Sequence, residues 1–237
     1  CINKKTGNKI HALIVLHIFG MSALIDEICK ICKRYKIKVI EDAAEALGSY
    51  FKKKHLGNFG TCGILSFNGN KVVTTGNGGA LITNDKKIYK TADHLSQIAK
   101  LKKNYFDYSE IGYNYKMSNI NSALGLGQLK RLKQIIKKKE ILYKKYKKAS
   151  NQSPHYKILD KPKDSKPNYW LITMVLNERN KMLKNKLLKV TNKNGFQTRP
   201  AWKLLHKINY LKKFPRGSLK NCEEMYDKII NLPSSPS

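Results

Sequence analysis

The sequence predicts an α/β fold, with a large domain on a mostly parallel sheet followed by a small C-terminal α/β domain. Two observations lead to this prediction. A strand, a helix and a second strand follow one another within residues 10–40, which is the pattern of a βαβ unit. A long amphipathic helical pattern then runs from Met117 to about Ala149 and ends in a turn-rich stretch, 150–166. We therefore expect domains at 1–150 and 151–237.

The first predicted unit places two carboxylates at the end of a strand. Ile10–Leu16 is an apolar, β-branched run, apolar residues recur at helical spacing over 24–35, and Lys38–Ile40 is a second short strand. Ligands of parallel sheets bind at the carboxyl ends of the strands, where Glu41 and Asp42 emerge. Neighbouring side chains of a strand point to opposite faces, so one carboxylate should reach the crevice and the other should face away. The alternative is that they are ordinary capping acids before a turn.

The next stretch, 63–83, contains a single lysine between two apolar runs. Gly63–Phe67 and Ala80–Thr83 are typical of buried strands, and Lys71 lies in the Gly- and Thr-rich loop between them, near Ser66. Most lysines are solvated surface residues. A lysine in an enclosed loop can instead lose part of its hydration, so that its pKa falls and its amine becomes a nucleophile. Spacing alone leaves both interpretations open.

The rest of the chain alternates helices and strands. A helical segment is expected over 85–101, a tyrosine-rich loop over 104–115, a strand at Tyr169–Leu176, and helices at 181–191 and 219–230. Arg199 lies beside a proline in a loop between the last two helices. It either forms an exposed salt bridge or recognises an anion.

Composition restricts the possible partners. The net charge is +31, but the chain has only five arginines, and the lysines are spread over helical faces and loops. Proteins that read nucleic acids favour the bidentate guanidinium of arginine. A solvated lysine surface is therefore preferred over a nucleic-acid-binding surface, and no nucleic-acid partner is expected. Small anions such as phosphates are compatible with either interpretation.

Cysteine usage and hydropathy indicate a cytoplasmic protein. No run of eighteen apolar residues predicts a transmembrane helix, and no membrane partner is expected. Five cysteines without a disulfide-framework spacing are consistent with a reducing compartment. Cys29 and Cys32 lie within a helical pattern, so they are interpreted as core thiols and no metal site is predicted.

Five motifs occur together, in order, along the chain. They are IHALIVLHIFG (10–20), VIEDAAEALGS (39–49), GILSFNGNKVVTTGNGGAL (63–81), IGYNYKMSNINSALGLGQL (111–129) and QTRPAWKLLHK (197–207). With these motifs the chain resembles the DegT/StrS-type sugar aminotransferases, which depend on pyridoxal 5'-phosphate. The residue sequences of these motifs are most similar to those of the branch that makes 4-amino sugar nucleotides for nonulosonic acids of the legionaminic type. The resemblance implies a fold-type I transferase.

The resemblance also assigns roles to residues. Lys71 corresponds to the lysine that binds the cofactor covalently and moves the substrate proton, and Asp42 to the aspartate that pairs with the pyridinium nitrogen. Glu45 stands where many members have Gln near the ring hydroxyl. Ser66 matches a serine that hydrogen-bonds the cofactor phosphate. Asn114 matches an asparagine that reaches the phosphate of a neighbouring subunit, which implies a homodimer with shared active sites.

Two more residues of the motifs receive expectations. Lys116 replaces the Arg that usually follows this asparagine, so a bidentate contact is not expected there. Arg199 lies in the motif near the sugar-nucleotide end of the site and is expected to bind substrate.

The implied reaction transfers an amino group, from glutamate, to a 4-keto or, as the second choice, a 3-keto sugar nucleotide. Some relatives are dehydratases in which histidine replaces the lysine, so Lys71 favours transamination. Relatives also carry an N-terminal region with a phosphate-binding turn and an aromatic residue that stacks on the cofactor. That region is missing here, and the last part of the small domain is expected to be clipped after Pro236. We therefore expect an N-terminally truncated fragment. The alternative is an inactive member of the family.

Overall fold

A computed structural model describes residues 1–101 and 106–235. The strands, in chain order, are β1 (Ala12–Leu16), β2 (Lys38–Asp42), β3 (Tyr50–Phe51), β4 (Lys54–His55), β5 (Cys62–Ser66), β6 (Gly79–Ile82), β7 (Tyr156–Ile158), β8 (Ser165–Lys166), β9 (Ile172–Leu176), β10 (Arg199–Pro200) and β11 (Ile229–Leu232). The α-helices are α1 (Ile25–Arg34), α2 (Lys86–Ser96), α3 (Asn119–Ser150), α4 (Lys181–Lys193) and α5 (Lys220–Lys228). Residues 104–105 of the predicted tyrosine-rich loop, and residues 236–237, lie outside the described ranges.

The first sheet has the strand order β1-β2-β5-β6. The pairs β1–β2 and β2–β5 are parallel, and β5–β6 is antiparallel, which confirms the predicted βαβ unit and the mostly parallel sheet. Helix α1 covers one face, where Ile25 and Cys32 join Val15, Val39 and Leu65 in the core. Because the carboxyl ends of β1, β2 and β5 lie at the same edge, loops that follow these strands are brought together there.

The two cysteines of α1 are core thiols, as predicted. Cys32 is buried, and Cys29 is half-buried with its Sγ 3.8 Å from the carbonyl oxygen of Phe59. Burial raises the pKa of the Cys29 thiol, so this cysteine is less reactive than an exposed one.

The second sheet has the order β10-β11-β9-β7, and its strands are antiparallel. Ile229 and Ile230, which the helical pattern assigned to the end of a helix, belong to β11 and pair with Val175 and Met174 of β9. The prediction was wrong at this point because both isoleucines are buried against a neighbouring strand, and this tertiary pairing overrides local periodicity.

Two other predicted boundaries differ from the structure. The helix expected over 85–101 ends at Ser96, because Ile98 and Ala99 have positive φ angles of 66° and 52°, which no α-helix accommodates. The strand expected from Tyr169 begins at Ile172, since Tyr169 also has a positive φ, 52°. Non-glycine residues seldom adopt this conformation, so the backbone at 168–170 has to be held by its surroundings.

Helix α3 carries the chain from the first sheet to the second. The hydroxyl of Ser118 caps it by accepting the backbone N–H of Asn121. The turn-rich stretch 150–166 contains β7 and β8, and β8 pairs with β3 in a three-stranded sheet, β4-β3-β8. A core cluster that includes Phe19, Val72 and Trp170 joins the two parts of the chain. The division at 150/151 stays a prediction.

Candidate active site

The carboxyl ends of three parallel strands bring the main site residues to one edge of the first sheet. Leu16 of β1 is in register with Asp42 of β2, and Asp42 is in register with Ile64 of β5. The loop after β5 carries Lys71, whose backbone N–H donates to the carbonyl of Asn68. Asp42 and the Lys71 loop therefore meet at the edge where α/β sheets bind ligands.

Glu41, the first of the two adjacent carboxylates, is fully enclosed by donors. It is 0% exposed and accepts the backbone N–H groups of Gly57, Phe59 and Gly60 at 2.8, 2.5 and 2.6 Å. Nε2 of His17 lies 3.0 Å from its Oε2. Burial acts to raise the pKa of Glu41, but the hydrogen bonds from His17 and the backbone outweigh it, so the pKa is lowered. This carboxylate holds the fold and has no capacity left for a ligand.

His17 completes this buried cluster and was missed as a site neighbour by sequence reasoning. The backbone N–H of Ala23 donates to its Nδ1 at 3.2 Å, so the ring proton lies on Nε2 and is donated to Glu41. His17 directly follows β1, and Glu41 lies near the end of the adjacent parallel strand. A histidine directly after the first strand of a βαβ unit, with a glutamate near the end of the second strand, was the signal for this contact in the sequence.

Asp42, the second carboxylate, lies on the opposite face and is open. It is half-buried, and its Oδ1 accepts the backbone N–H of Ala44 at 3.2 Å. Among residues 1–101 and 106–235, no hydrogen bond reaches its Oδ2. Its charge acts to raise the pKa of both Lys71 and Glu45. The two adjacent acids thus diverge as strand alternation predicts, and Asp42 is the one that faces the site.

The Lys71 amine lies on an aromatic ring. Its Nζ is 3.9 Å from the ring centroid of Trp170, and the side chain is half-buried. Burial lowers the pKa of Lys71, opposed by the negative charges of Glu45 and Asp42. Within the part of the chain that the structure describes, Lys71 forms no salt bridge. Its amine therefore loses a proton more readily than that of an ordinary lysine.

Trp170 is a second functional neighbour that sequence reasoning missed. Its indole Nε1 donates to the carbonyl of Asn70 at 2.7 Å, and its backbone N–H donates to Oδ1 of Asn168 at 2.9 Å. The ring of Trp202 stacks on it at a centroid distance of 5.9 Å. Tryptophan occurs only twice in the chain, which was a signal, but only the fold brings the two rings together beside Lys71.

Glu45 lies close enough to Asp42 and Lys71 to interact with the charges of both. Its Oε2 accepts the backbone N–H of Phe19 at 2.6 Å. Burial raises its pKa, with a further contribution from Asp42, while the Phe19 N–H and Lys71 act in the opposite direction. Glu45 therefore holds a proton at higher pH than an exposed glutamate, and does so beside the lysine amine.

Ser66 ends β5, opposite Gly79 of β6, and is half-buried. Its Oγ accepts the backbone N–H of Asn68 at 3.3 Å, which leaves its hydroxyl hydrogen available. The hydroxyl of Thr74 is used within the loop, where it donates to the carbonyl of Phe67. No acceptor among the described residues takes the hydroxyl hydrogen of Ser66, so this hydroxyl, just before the loop, can still donate to an anion.

Arg199 opens onto the same cavity as Lys71. The cavity measures about 720 Å³, and Trp170 and Trp202 form part of its wall. Arg199 is exposed and is held by the pairing of β10 with Asn231 of β11. A cavity of this size accommodates a small organic ligand, with a guanidinium and an amine positioned along it.

Asn114 is not brought to this cluster. It is exposed, and its backbone forms an antiparallel bridge with Gln97. The neighbouring Lys116 forms a salt bridge with Asp93 at 2.6 Å. No contact among the described residues joins Asn114 to Lys71.

The donor set fits pyridoxal 5'-phosphate. A carboxylate whose Oδ2 accepts no hydrogen bond from the described residues, Asp42, suits a protonated pyridine nitrogen, and a lysine with a lowered pKa, Lys71, suits the reactive carbonyl. The Ser66 hydroxyl is a donor for a phosphate oxygen. These three residues, with Glu45, would hold the cofactor at this edge of the sheet.

Known proteins are similar to this chain over nearly its whole length. A putative pyridoxal phosphate-dependent aminotransferase, EpsN of Bacillus subtilis (strain 168), is 34% identical over 98% of this chain and 60% of its own length. GDP-perosamine synthase of Escherichia coli O157:H7 is 34% identical over 100% of this chain and 64% of its own length. The solved structure of Helicobacter pylori PseC, an aminotransferase involved in the biosynthesis of pseudoaminic acid, superposes with a TM-score of 0.90. It is 27% identical and matches 99% of this chain and 63% of PseC.

Each match covers nearly all of this chain but only part of the relative. The chain spans 60–64% of the length of the two curated relatives. In the described ranges, none of the helices combines the length and the apolar character needed to cross a membrane. The model of the DegT/DnrJ/EryC1/StrS aminotransferase family matches residues 1–237, from one end of the sequence to the other. The chain therefore belongs to the DegT/DnrJ/EryC1/StrS aminotransferase family.

Proposed function

We propose that this protein transfers an amino group from glutamate to a keto-sugar nucleotide, with pyridoxal 5'-phosphate as cofactor, in amino-sugar or surface-polysaccharide biosynthesis. The observation that carries the proposal is the Lys71 amine, half-buried on Trp170 and near the open carboxylate Asp42. The names of EpsN and GDP-perosamine synthase support the cofactor and the substrate class. A cytoplasmic location fits such a substrate.

The bound cofactor would supply a carbonyl that takes up the amino group and a ring that accepts electron density from the carbon losing a proton. Asp42 holds a negative charge at the strand end, which favours a protonated ring nitrogen. Lys71, with its lowered pKa, can present a neutral amine that takes a proton from carbon and returns it. Glu45 can hold a proton beside that amine. Trp170 covers one side of the amine and excludes water from it.

The cavity beside Lys71 supports the substrate class. A nucleoside diphosphate carries negative charge, and Arg199 presents an exposed guanidinium in the wall of that cavity. The aromatic rings of Trp170 and Trp202 offer flat apolar surface for a sugar or a base.

A homodimer with shared sites belongs to the same proposal. Asn114 is exposed, and no contact among the described residues joins it to Lys71. This arrangement is expected of a residue that serves a neighbouring copy.

The proposal is tested with the protein expressed from its complete reading frame. It is incubated with glutamate and a panel of 3-keto and 4-keto sugar nucleotides, including the precursor expected for the legionaminic-type branch. We expect 2-oxoglutarate and one amino-sugar nucleotide to form in equal amounts. Lys71→Ala should form neither, and Lys137→Ala, an exposed lysine of α3, should match the unmodified protein.

Mixed subunits test the sharing of sites in the same assay. If Asn114 serves the other subunit, mixing Lys71→Ala with Asn114→Ala should make about a quarter of all sites intact in a random mixture of dimers. A panel in which no substrate reacts, with cofactor present, would instead favour an inactive member of the family.

A further inference from the structure

A second buried lysine, Lys139 of α3, lies in the wall of the same cavity as Lys71 and has no role in the function proposed above. It is 6% exposed. Its Nζ donates to the carbonyl oxygens of Tyr169 at 3.3 Å, Trp170 at 3.2 Å and Ser234 at 2.6 Å. An ammonium group has three N–H donors, and here each has its own carbonyl acceptor.

This lysine has no acidic partner within residues 1–101 and 106–235. Burial alone lowers its pKa to about 8. A buried cation without a counter-ion is costly, and a core position of α3 would be filled at lower cost by leucine or methionine. The presence of a lysine at this position therefore requires an explanation, and the three carbonyl groups that it binds offer one.

Two of the three carbonyl groups, those of Tyr169 and Trp170, belong to the strained turn that presents Trp170, and the third belongs to Ser234, after β11. Tyr169 has a φ of 52°, which a non-glycine residue adopts only when its surroundings hold it there. On the amide side of the turn, Asn168 holds the Trp170 N–H. On the carbonyl side, Lys139 holds Tyr169 and Trp170 together.

The same turn determines where the Lys71 amine lies. The Trp170 ring is 3.9 Å below Lys71 Nζ, and the Trp170 indole N–H is bonded to Asn70, the residue before Lys71. A change in the ring position would change both the contact of the amine and its degree of hydration. Since burial is the main cause of the lowered pKa of Lys71, that pKa depends on the ring.

We infer that Lys139 is a positioning residue for the Lys71 amine, because it clamps the 169–170 turn that places the Trp170 ring beneath it. The inference rests on the proposed function only in its choice of Lys71 as the reactive amine. The clamp itself is a property of the folded chain and can be measured without cofactor or substrate.

The experiment compares Lys139→Met with Lys137→Met, an exposed lysine two positions earlier in α3, on cofactor-free protein. Both variants are made with Trp202→Phe, which leaves Trp170 as the only tryptophan. Acrylamide quenching of its fluorescence reports the exposure of the ring. The pH dependence of amine acylation, read by mass spectrometry of the peptide that contains Lys71, reports the pKa of that lysine.

In Lys139→Met we expect stronger quenching of Trp170 and a higher pKa for Lys71. A rise of one unit corresponds to about tenfold slower acylation of Lys71 at a pH below its pKa. Lys139→Arg, which keeps the charge and the donors, should restore part of both signals, and Lys137→Met should change neither.

Two results would overturn the inference. One is a folded Lys139→Met in which quenching and acylation are unchanged. The other is a higher pKa of Lys71 with unchanged quenching, since the lysine would then act by charge alone. If Lys139→Met does not fold, the neutral donor variant Lys139→Gln is held to the same two readouts. Failure of both variants to fold, while Lys137→Met folds, would make Lys139 a determinant of the whole fold and would also contradict a positioning role.

Because neither readout needs cofactor, absence of transamination would not affect the result. The inference and the proposed function can therefore fail separately.

Discussion

Two acidic clusters lie on opposite faces of the first sheet, and they differ in how many of their hydrogen-bonding positions are occupied. On one face, Glu41 accepts four hydrogen bonds, from His17 and three backbone N–H groups, and is completely buried. On the other face, Asp42 accepts one from the residues that the structure describes, that of Ala44, and lies near Glu45 and Lys71. Adjacent residues of the same charge thus have different uses.

The difference follows from the cost of burying charge. A buried carboxylate is stable only when donors compensate for its lost hydration, and Glu41 has such donors on both oxygens. Asp42 remains partly hydrated and keeps an acceptor free. Saturated polar groups hold a fold, whereas groups with free capacity can bind a ligand.

The largest effect is expected on the saturated face. Glu41→Ala leaves the N–H groups of Gly57, Phe59 and Gly60 without their acceptor, and removes the partner of His17. We expect the free energy of unfolding to fall by about 3–5 kcal/mol. Urea denaturation followed by circular dichroism measures it. A loss below about 1 kcal/mol would mean that this cluster does not hold the fold.

A smaller effect, of a different kind, is expected on the open face. Asp42→Asn keeps the size of the side chain and an oxygen for the Ala44 N–H, but removes the charge. Turnover should fall about 10²–10³-fold, since a fixed charge at the reacting centre is lost. The free energy of unfolding should change by less than about 1 kcal/mol. Equal losses of stability in Asp42→Asn and Glu41→Ala would remove the contrast between the two faces.

The smallest effect concerns Glu45, whose pKa is raised by burial. A carboxyl with a raised pKa in the folded state stabilises the fold at low pH. That contribution is lost as the pH rises through its folded-state pKa. Glu45→Gln does not titrate and keeps an acceptor for the Phe19 N–H. The stability of the unmodified protein relative to this variant should therefore decrease with rising pH in paired urea titrations. An increase would mean that the charged form of Glu45 is the favoured one in the fold.

Much of the fold could be predicted because its signals are local. The βαβ unit, helix α3 and the buried strand that follows Trp170 are all visible as hydrophobic periodicity. Ile229 and Ile230 were assigned wrongly, since their pairing with β9 is a contact between distant parts of the chain. The left-handed turn at Tyr169 could not be predicted from the local sequence, because Asn168 holds only one side of it and Lys139 holds the other side from helix α3.

The site could likewise be predicted where its residues follow from the strand pattern, but not where they depend on contacts between distant parts of the chain. Asp42 and Ser66 end two neighbouring strands of one sheet and Lys71 lies in the loop after the second, so alternation and the strand ends place them at one edge. Trp170 reaches Lys71 from the second sheet, and sequence patterns do not give the distance between two sheets. Asn114 stays apart within this chain, so its predicted role depends on a second copy.

Reductive trapping of the cofactor tests the central claim most directly. The purified protein is incubated with pyridoxal 5'-phosphate, reduced with borohydride and digested, and the modified peptides are mapped by mass spectrometry. We expect the label to lie predominantly on Lys71, although the chain has many more exposed lysines, and we expect Lys71→Ala to lose the visible absorbance of the bound cofactor. A label spread over surface lysines, or an absorbance retained by Lys71→Ala, would contradict it.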